Sequence, residues 1–209
     1  MDKSSFFTFS KYISSNPKLK VADLVFFDNF HLIVFLILSP RAREDTAYRL
    51  SKQILNNYPI IELLAKADFN IIKEIIRPIG FYNVKAKRLV SFCTMIKSTI
   101  KLNSINTYES LMEIPGVGEK AAKKFLTLTS DVQFFLFDSH VIRVFSRLGF
   151  SNELIKSIES MKAKDLHVKN ITDFSNQISN FGKHVCTSKN PQCFNCELLR
   201  ICQFGFIER

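Results

Sequence analysis

Cys186, Cys193, Cys196 and Cys202 crowd four thiols into one short segment with the spacing C-x6-C-x2-C-x5-C. No regular element is evident between them, so the segment reads as a loop wrapped around something that thiolates bind. Four soft sulfur ligands suit either a tetrahedral zinc or a [4Fe-4S] cube, and the residues alone leave both open. Disulfides fit less well. At 209 residues the chain is longer than typical disulfide scaffolds, and the fifth cysteine, Cys93, lies far upstream in a helix-like segment. Reduced thiols point to a reducing compartment.

A hydrophobic content of 46% is enough to bury one large core or two small ones, which excludes a disordered chain. The formal charge of +10 biases the surface toward polyanions, because each cation set against a phosphate releases condensed counterions. Met1-Asp2-Lys3-Ser4 is not followed by an apolar run long enough for a signal peptide. The most apolar stretch, 32–38, is too short to span a bilayer and is flanked by Asp28, Asn29 and His31, so it predicts a buried helix.

The chain has six glycines, none before Gly80, and its apolar residues recur at helical spacing: Leu50 and Ile54; Leu64, Ile71, Ile72, Ile75 and Ile76; Val90, Phe92, Met95 and Ile96. An all-α fold is expected. Pro17, Pro40, Pro59 and Pro78 stand where helices would start or stop, and Thr107 with Ser110 offers a cap ahead of Leu111-Met112. Two glycines fall together in Ile114-Pro115-Gly116-Val117-Gly118, between a short apolar helix and the basic segment Glu119-Lys120-Ala121-Ala122-Lys123-Lys124.

A helix, a Pro-Gly-Val-Gly turn and a second helix present backbone N–H groups at a helix N-terminus. That suits an anion such as DNA phosphate, whatever the base sequence. Asp138, in Phe137-Asp138-Ser139-His140-Val141, follows an apolar run and is placed to cap the next helix. Lys120 and Asp138 form a plausible nucleophile and activator if the fold brings them together. Lys123 and Lys124 read as phosphate contacts or surface charge, His184 as a helix-end residue, and His140 as packed or hydrogen-bonded.

From about Asp28 to Cys202 the sequence resembles the helix-hairpin-helix DNA glycosylases of the endonuclease III type. Ile79-Gly80-Phe81-Tyr82-Asn83-Val84-Lys85-Ala86 is similar to that family's Ile-Gly-Leu-Tyr-Asn-x-Lys-Ala segment. Ile114-Pro115-Gly116-Val117-Gly118-x-Lys120-x-Ala122 matches its hairpin, Asp138-Ser139-His140-Val141 its Asp-Thr-His signature, and the cysteine spacing its cluster loop. The resemblance, not the spacing, moves the expectation from zinc to a [4Fe-4S] cluster held by Cys186, Cys193, Cys196 and Cys202. It implies a six-helix barrel domain with the hairpin over residues 22–132, and a helical cluster domain from residues 1–21 and 133–209.

The resemblance further implies a monomer acting on double-stranded DNA that carries damaged bases or abasic sites, with no membrane role, in the cytoplasm or another DNA-containing reducing compartment. The reaction would be removal of oxidised pyrimidines with abasic-site lyase activity. The damaged nucleotide is flipped out of the stack, Phe81 stands at the wedge position, and Gly116, Val117, Gly118 and Lys189 face phosphates. Arg41 stands where the family usually carries a glutamine that meets the orphaned base; an arginine there bears on opposite-base preference. Lys120 would attack C1′ and form a Schiff base that undergoes β-elimination, with burial and the helix N-terminus expected to favour its neutral amine. Asp138 would stabilise the oxocarbenium-like sugar or shuttle protons. Two alternatives compete: a monofunctional glycosylase for mismatched thymine, uracil or adenine, against which Lys120 argues, and a non-catalytic DNA-binding module.

Overall fold

The computed structural model describes residues 3–20, 24–98, 105–158 and 160–207. Two compact units divide the chain: one joins Met1–Asp23 to Val132–Arg209, and the other is Leu24–Asp131. The boundary expected between residues 21 and 22 falls outside the described residues. Among the described residues the regular structure is helical, with no strand.

In the Leu24–Asp131 unit, α2 (Asn29–Leu38) has every residue from Phe30 onward buried. A helix that is apolar all round must be covered on all sides. Here α3 (Glu44–Asn57), α6 (Tyr82–Ser98) and α8 (Glu119–Thr129) each pack against it. At about 1.5–3 kcal/mol for each fully buried large apolar side chain, α2 contributes more than any other single helix described in this unit. Its start is fixed by Asp28, whose carboxylate accepts from the His31 N–H at 2.8 Å. His31, uninformative in the sequence, is fully buried: its Nδ1 accepts from the Phe27 N–H, which leaves Nε2 to donate to Ser51 Oγ at 3.2 Å. Burial pushes its pKa down.

The prolines act as expected. Pro40 follows the C-cap Ser39 of α2, Pro59 follows the C-cap Tyr58 of α3, and Pro78 follows the C-cap Arg77 of α5 (Phe69–Ile76). Of the four isoleucines expected on one face, α5 buries only Ile72 and Ile76, one turn apart, where it meets α6; Ile71 is exposed. Between them α4 (Ile61–Ala65) also packs on α6. The predicted cap at α7 (Tyr108–Met112) is a full capping box, with Thr107 and Ser110 each accepting the other's backbone N–H.

The other unit comprises α1 (Lys3–Ser15), α9 (Ser139–Leu148), α10 (Asn152–Ile158), α11 (Ile171–His184) and α12 (Gln203–Ile207). Its frame is the α9/α11 pair, with α1 laid on α11 and α12 on α9. The abundance of phenylalanine finds its use here. Phe9, Phe135, Phe145, Phe150 and Phe174 are buried in one core and meet mostly edge to face, at centroid separations of 4.6–6.3 Å. Gly149 ends α9 with φ 88°, a left-handed conformation that disfavours any side chain. The Phe150 N–H then donates to the Phe145 carbonyl, the Gly149 N–H to that of Ser146, and the two phenylalanine rings close the motif.

Candidate active site and thiol pocket

The hairpin lies in the Leu24–Asp131 unit. Thr107 and Ser110 set the start of α7, the chain turns at Pro115-Gly116, and the Val117 N–H donates back to the Ile114 carbonyl at 3.0 Å. Gly116 has φ 94°. Gly118 is the N-cap of α8, makes no side-chain cap and has open space where a Cβ would point. Peptide N–H groups at such an uncapped start carry the positive end of the helix dipole. Lys120 is the second residue of α8 and is exposed. The expectation that it is buried is therefore corrected: α8 turns Ala122, Phe125 and Leu126 into the core, and Lys120 lies off that face.

Its neighbours are structural cations. Lys123 pairs with Glu119 at 2.7 Å one turn back, and Lys124 is part-buried, pairs with Glu44 of α3 and lies over the Phe35 ring. Both lysines, expected as phosphate contacts or surface charge, are thus each paired with a carboxylate.

Arg41 and Phe81 come together in the same unit. Both are exposed, and both are non-glycine residues with left-handed backbones, φ 55° and 60°. Each such residue costs about 1 kcal/mol or more and persists only where its surroundings hold it. The Arg41 guanidinium carbon sits 5.0 Å from the centroid of the Phe81 ring. The pair is a preformed contact of a cation over an aromatic ring, with Phe81 56% exposed.

Asp138 belongs to the other unit, where it caps α9. Its Oδ1 accepts from the N–H groups of His140 and Val141, both at 2.9 Å, and Oδ2 accepts from the hydroxyl of Ser179 on α11 at 2.7 Å. The carboxylate is half-buried and held in one orientation by donors from two helices. His140 is hydrogen-bonded, as expected, its Nδ1 3.0 Å from Arg143 Nη2.

Further along α9, Arg143 and Arg147 tie the helix to the cysteine segment. Arg143 donates to the carbonyls of Gly182 and Cys186, while Arg147 donates to those of Thr187 and Ser188 and to Cys186 Sγ at 3.4 Å. All four cysteines line one pocket, with Val144, Leu148, Phe181, Leu198 and Phe204 among its apolar walls. None is in a disulfide. Burial and the neighbouring thiols Cys202, Cys186 and Cys193 push the Cys196 thiol up to about 11 against the pull of the Leu198 backbone N–H. Short 3-10 turns at Cys193–Asn195 and Leu199–Ile201 replace the featureless loop expected. Among the described residues no group of three or more His, Cys, Asp or Glu side chains is gathered into a site for a metal ion. Lys189 is exposed on the same segment, and Phe194, between the second and third cysteines, is 86% exposed. His184 ends α11 as expected, its carbonyl accepting from Gln192.

Residues 34–169 match the sequence pattern of the HhH-GPD superfamily base excision DNA repair proteins. The chain belongs to the HhH-GPD superfamily. The match covers α3 to α10 as well as the hairpin and Asp138, and base excision repair of DNA is this chain's field of action. Endonuclease III of Rickettsia conorii is 26% identical over 199 residues, covering 95% of this chain and 94% of that protein. Endonuclease III of Thermotoga maritima is 27% identical over 182 residues, covering 85% and 84%. In fold, the chain superposes on an endonuclease III trapped as a covalent intermediate with DNA, with a TM-score of 0.86 at 23% identity, covering 100% of this chain and 99% of that one. Among the described residues no helix is long and apolar enough to cross a membrane.

Proposed function

We propose that this superfamily member is a base-excision repair glycosylase with abasic-site lyase activity that removes oxidised pyrimidines from duplex DNA. The observation that carries the reading is the hairpin: a Gly116 turn, an α8 start left open at Gly118, and Lys120 on the first turn of that helix. The likeness to the endonuclease III proteins of Rickettsia conorii and Thermotoga maritima supports it.

Phosphate binds the backbone N–H groups of the hairpin and the helix dipole behind them, a grip that any sequence satisfies. Phe81 enters the gap left by the flipped nucleotide. Arg41, set over its ring, offers two parallel donors to the estranged base, geometry suited to the O6 and N7 acceptors of guanine. The Lys120 amine attacks C1′; the C1′–N bond breaks, the base departs with its electron pair, and loss of a proton from nitrogen with ring opening gives the Schiff base. Removal of a C2′ proton then expels the 3′ phosphate by β-elimination, and water releases the enzyme. Asp138 stabilises the positive charge that builds on the sugar and passes protons between steps. Its hydrogen bonds from His140, Val141 and Ser179 hold the carboxylate in place for both roles.

Cys186, Cys193, Cys196 and Cys202 hold a [4Fe-4S] cluster in this reading. Four reduced thiols lining one pocket with apolar walls are a donor set that fits such a group. When bound, the cluster supplies a covalent tie that fixes the segment and presents Lys189 to a phosphate. The cluster unit is then Met1–Asp23 with Val132–Arg209, and the hairpin unit is Leu24–Asp131.

The test is borohydride trapping on duplexes carrying thymine glycol, an abasic site or a G·T mismatch, resolved on denaturing gels. A trapped adduct with strand cleavage at thymine glycol, lost in Lys120→Ala while DNA binding persists, is the expected result. Base loss at a mismatch with no trapped adduct would move the protein to the monofunctional class.

A further inference from the structure

The hairpin's turn is not bare on its inner side. A Cβ built on Gly116 would stand 2.7 Å from Cδ of Arg88 and 3.3 Å from its Cβ and Cγ, so the arginine's stem lies flat against the turn. Gly116 is thus required twice, by φ 94° and by the side chain that occupies the space. Arg88 comes from the middle of α6, and the residue as a whole is exposed. A stem pinned on the turn with its charged end reaching water is the posture of a cation held beside the phosphate-binding loop.

One turn earlier on the same helix, Lys85 is 1% exposed and its Nζ has no hydrogen-bond partner. A buried ammonium is ordinarily paired, since burying an uncompensated charge costs several kcal/mol. Its pKa is lowered to about 8, first by burial and then by the positive charge of Arg88. Arg88 thus stands against the turn with a second, repelling cation one helical turn back on α6. An anion arriving at the turn would relieve that repulsion.

We propose that Arg88 is a phosphate-contacting residue of the hairpin, its stem anchored on Gly116 and its guanidinium adding a charged donor beside the turn's peptide N–H groups. The inference rests on the DNA-binding reading above and adds to it a residue outside the hairpin sequence. An arginine fork grips a phosphate through two N–H groups and adds one released counterion to the binding reaction.

The experiment compares wild type, Arg88→Met, Arg88→Lys and Arg88→Ala by fluorescence anisotropy on a short undamaged duplex over a range of salt, with a thermal melt of each. Methionine keeps most of the stem on Gly116 and removes the charge. It is expected to bind about tenfold more weakly at low salt. Its slope of log affinity against log salt should be shallower by about 0.9, with a melting temperature close to wild type. Lysine should retain the wild-type slope. Alanine, which also strips the stem, should lose both slope and thermal stability. A wild-type slope in Arg88→Met overturns the proposal, as does a slope lost equally in Arg88→Met and Arg88→Lys, because the charge is then not what acts. A flat salt response or absent trapping in the wild type is a different failure, that of the DNA-repair reading itself.

Discussion

Lys85 carries an ammonium into the interior of its unit without a partner, and the direction of its pKa shift fixes what titration must do. Its folded value is about 8 against an ordinary 10.5, so between those values the unfolded chain holds a proton that the folded chain has released. Stability therefore rises with pH across that window, and below about 8 the buried charge is a constant burden. Lys85→Met should be more stable than wild type at pH 7, by up to about 3 kcal/mol, with the gap closing as pH approaches 10.5. Urea denaturation at several pH values checks this, and a gap that did not change with pH would show that packing, not charge, is responsible. None of this was legible in the sequence. Lys85 sits in Val84-Lys85-Ala86-Lys87-Arg88, where nothing local tells one cation from the next, and only the register of α6 against its neighbours turns one lysine inward. Lys120 failed the other way: the chemistry of amine attack suggested burial, whereas helical spacing from Ala122, Phe125 and Leu126 turns it outward. Cys93, by contrast, read as part of a helix separate from the thiol loop, and it is buried in α6 with its thiol pushed up to about 12, chiefly by burial.

At the scale of elements, α9 joins chemistry to architecture. Asp138 caps its N-terminus, Gly149 closes its C-terminus, and between them Arg143 and Arg147 hold the cysteine segment. The cap and the proposed chemistry of Asp138 can be separated by substitution. Asparagine caps helices as well as aspartate does, so Asp138→Asn should fold with nearly wild-type stability yet release bases far more slowly. Asp138→Ala should in addition lose about 1 kcal/mol of stability. Single-turnover base release alongside thermal melts distinguishes the two variants, and wild-type rates in Asp138→Asn would remove the carboxylate from the reaction. Caps, proline stops and the buried apolar helix were all legible, because each is local: Asp138, Thr107 with Ser110, and the run 32–38 act within a turn or two of sequence. The Arg41–Phe81 and Arg88–Gly116 contacts were not, since they join residues that only tertiary packing brings together.

At the scale of the whole molecule, the four thiols are where local pattern and distant packing meet. The spacing announced a cradle, but the core that backs it comes from both ends of the chain: Cys186, Cys196 and Cys202 pack against a cluster that includes Phe9 and Ile13 of α1 together with Val144, Phe145 and Phe181. Protein isolated under reducing conditions should contain roughly four irons and four sulfides per chain. Cys196→Ser should lower that content and speed amide hydrogen exchange in α9 and α11, while α2 and α6 keep their protection. Equal loss of protection in both units would show that the cluster supports the molecule as a whole and not the unit that holds it.

The two-ended construction of that unit also bears on how the chain comes off the ribosome. Leu24–Asp131 is contiguous and can collapse on α2 as soon as it has emerged, whereas Phe9 and Ile13 have no core to join until α9 and α11 follow. Throughout that interval Phe9 and Ile13 stand without the core that later covers them, so this unit cannot complete its packing before its second stretch of chain is made.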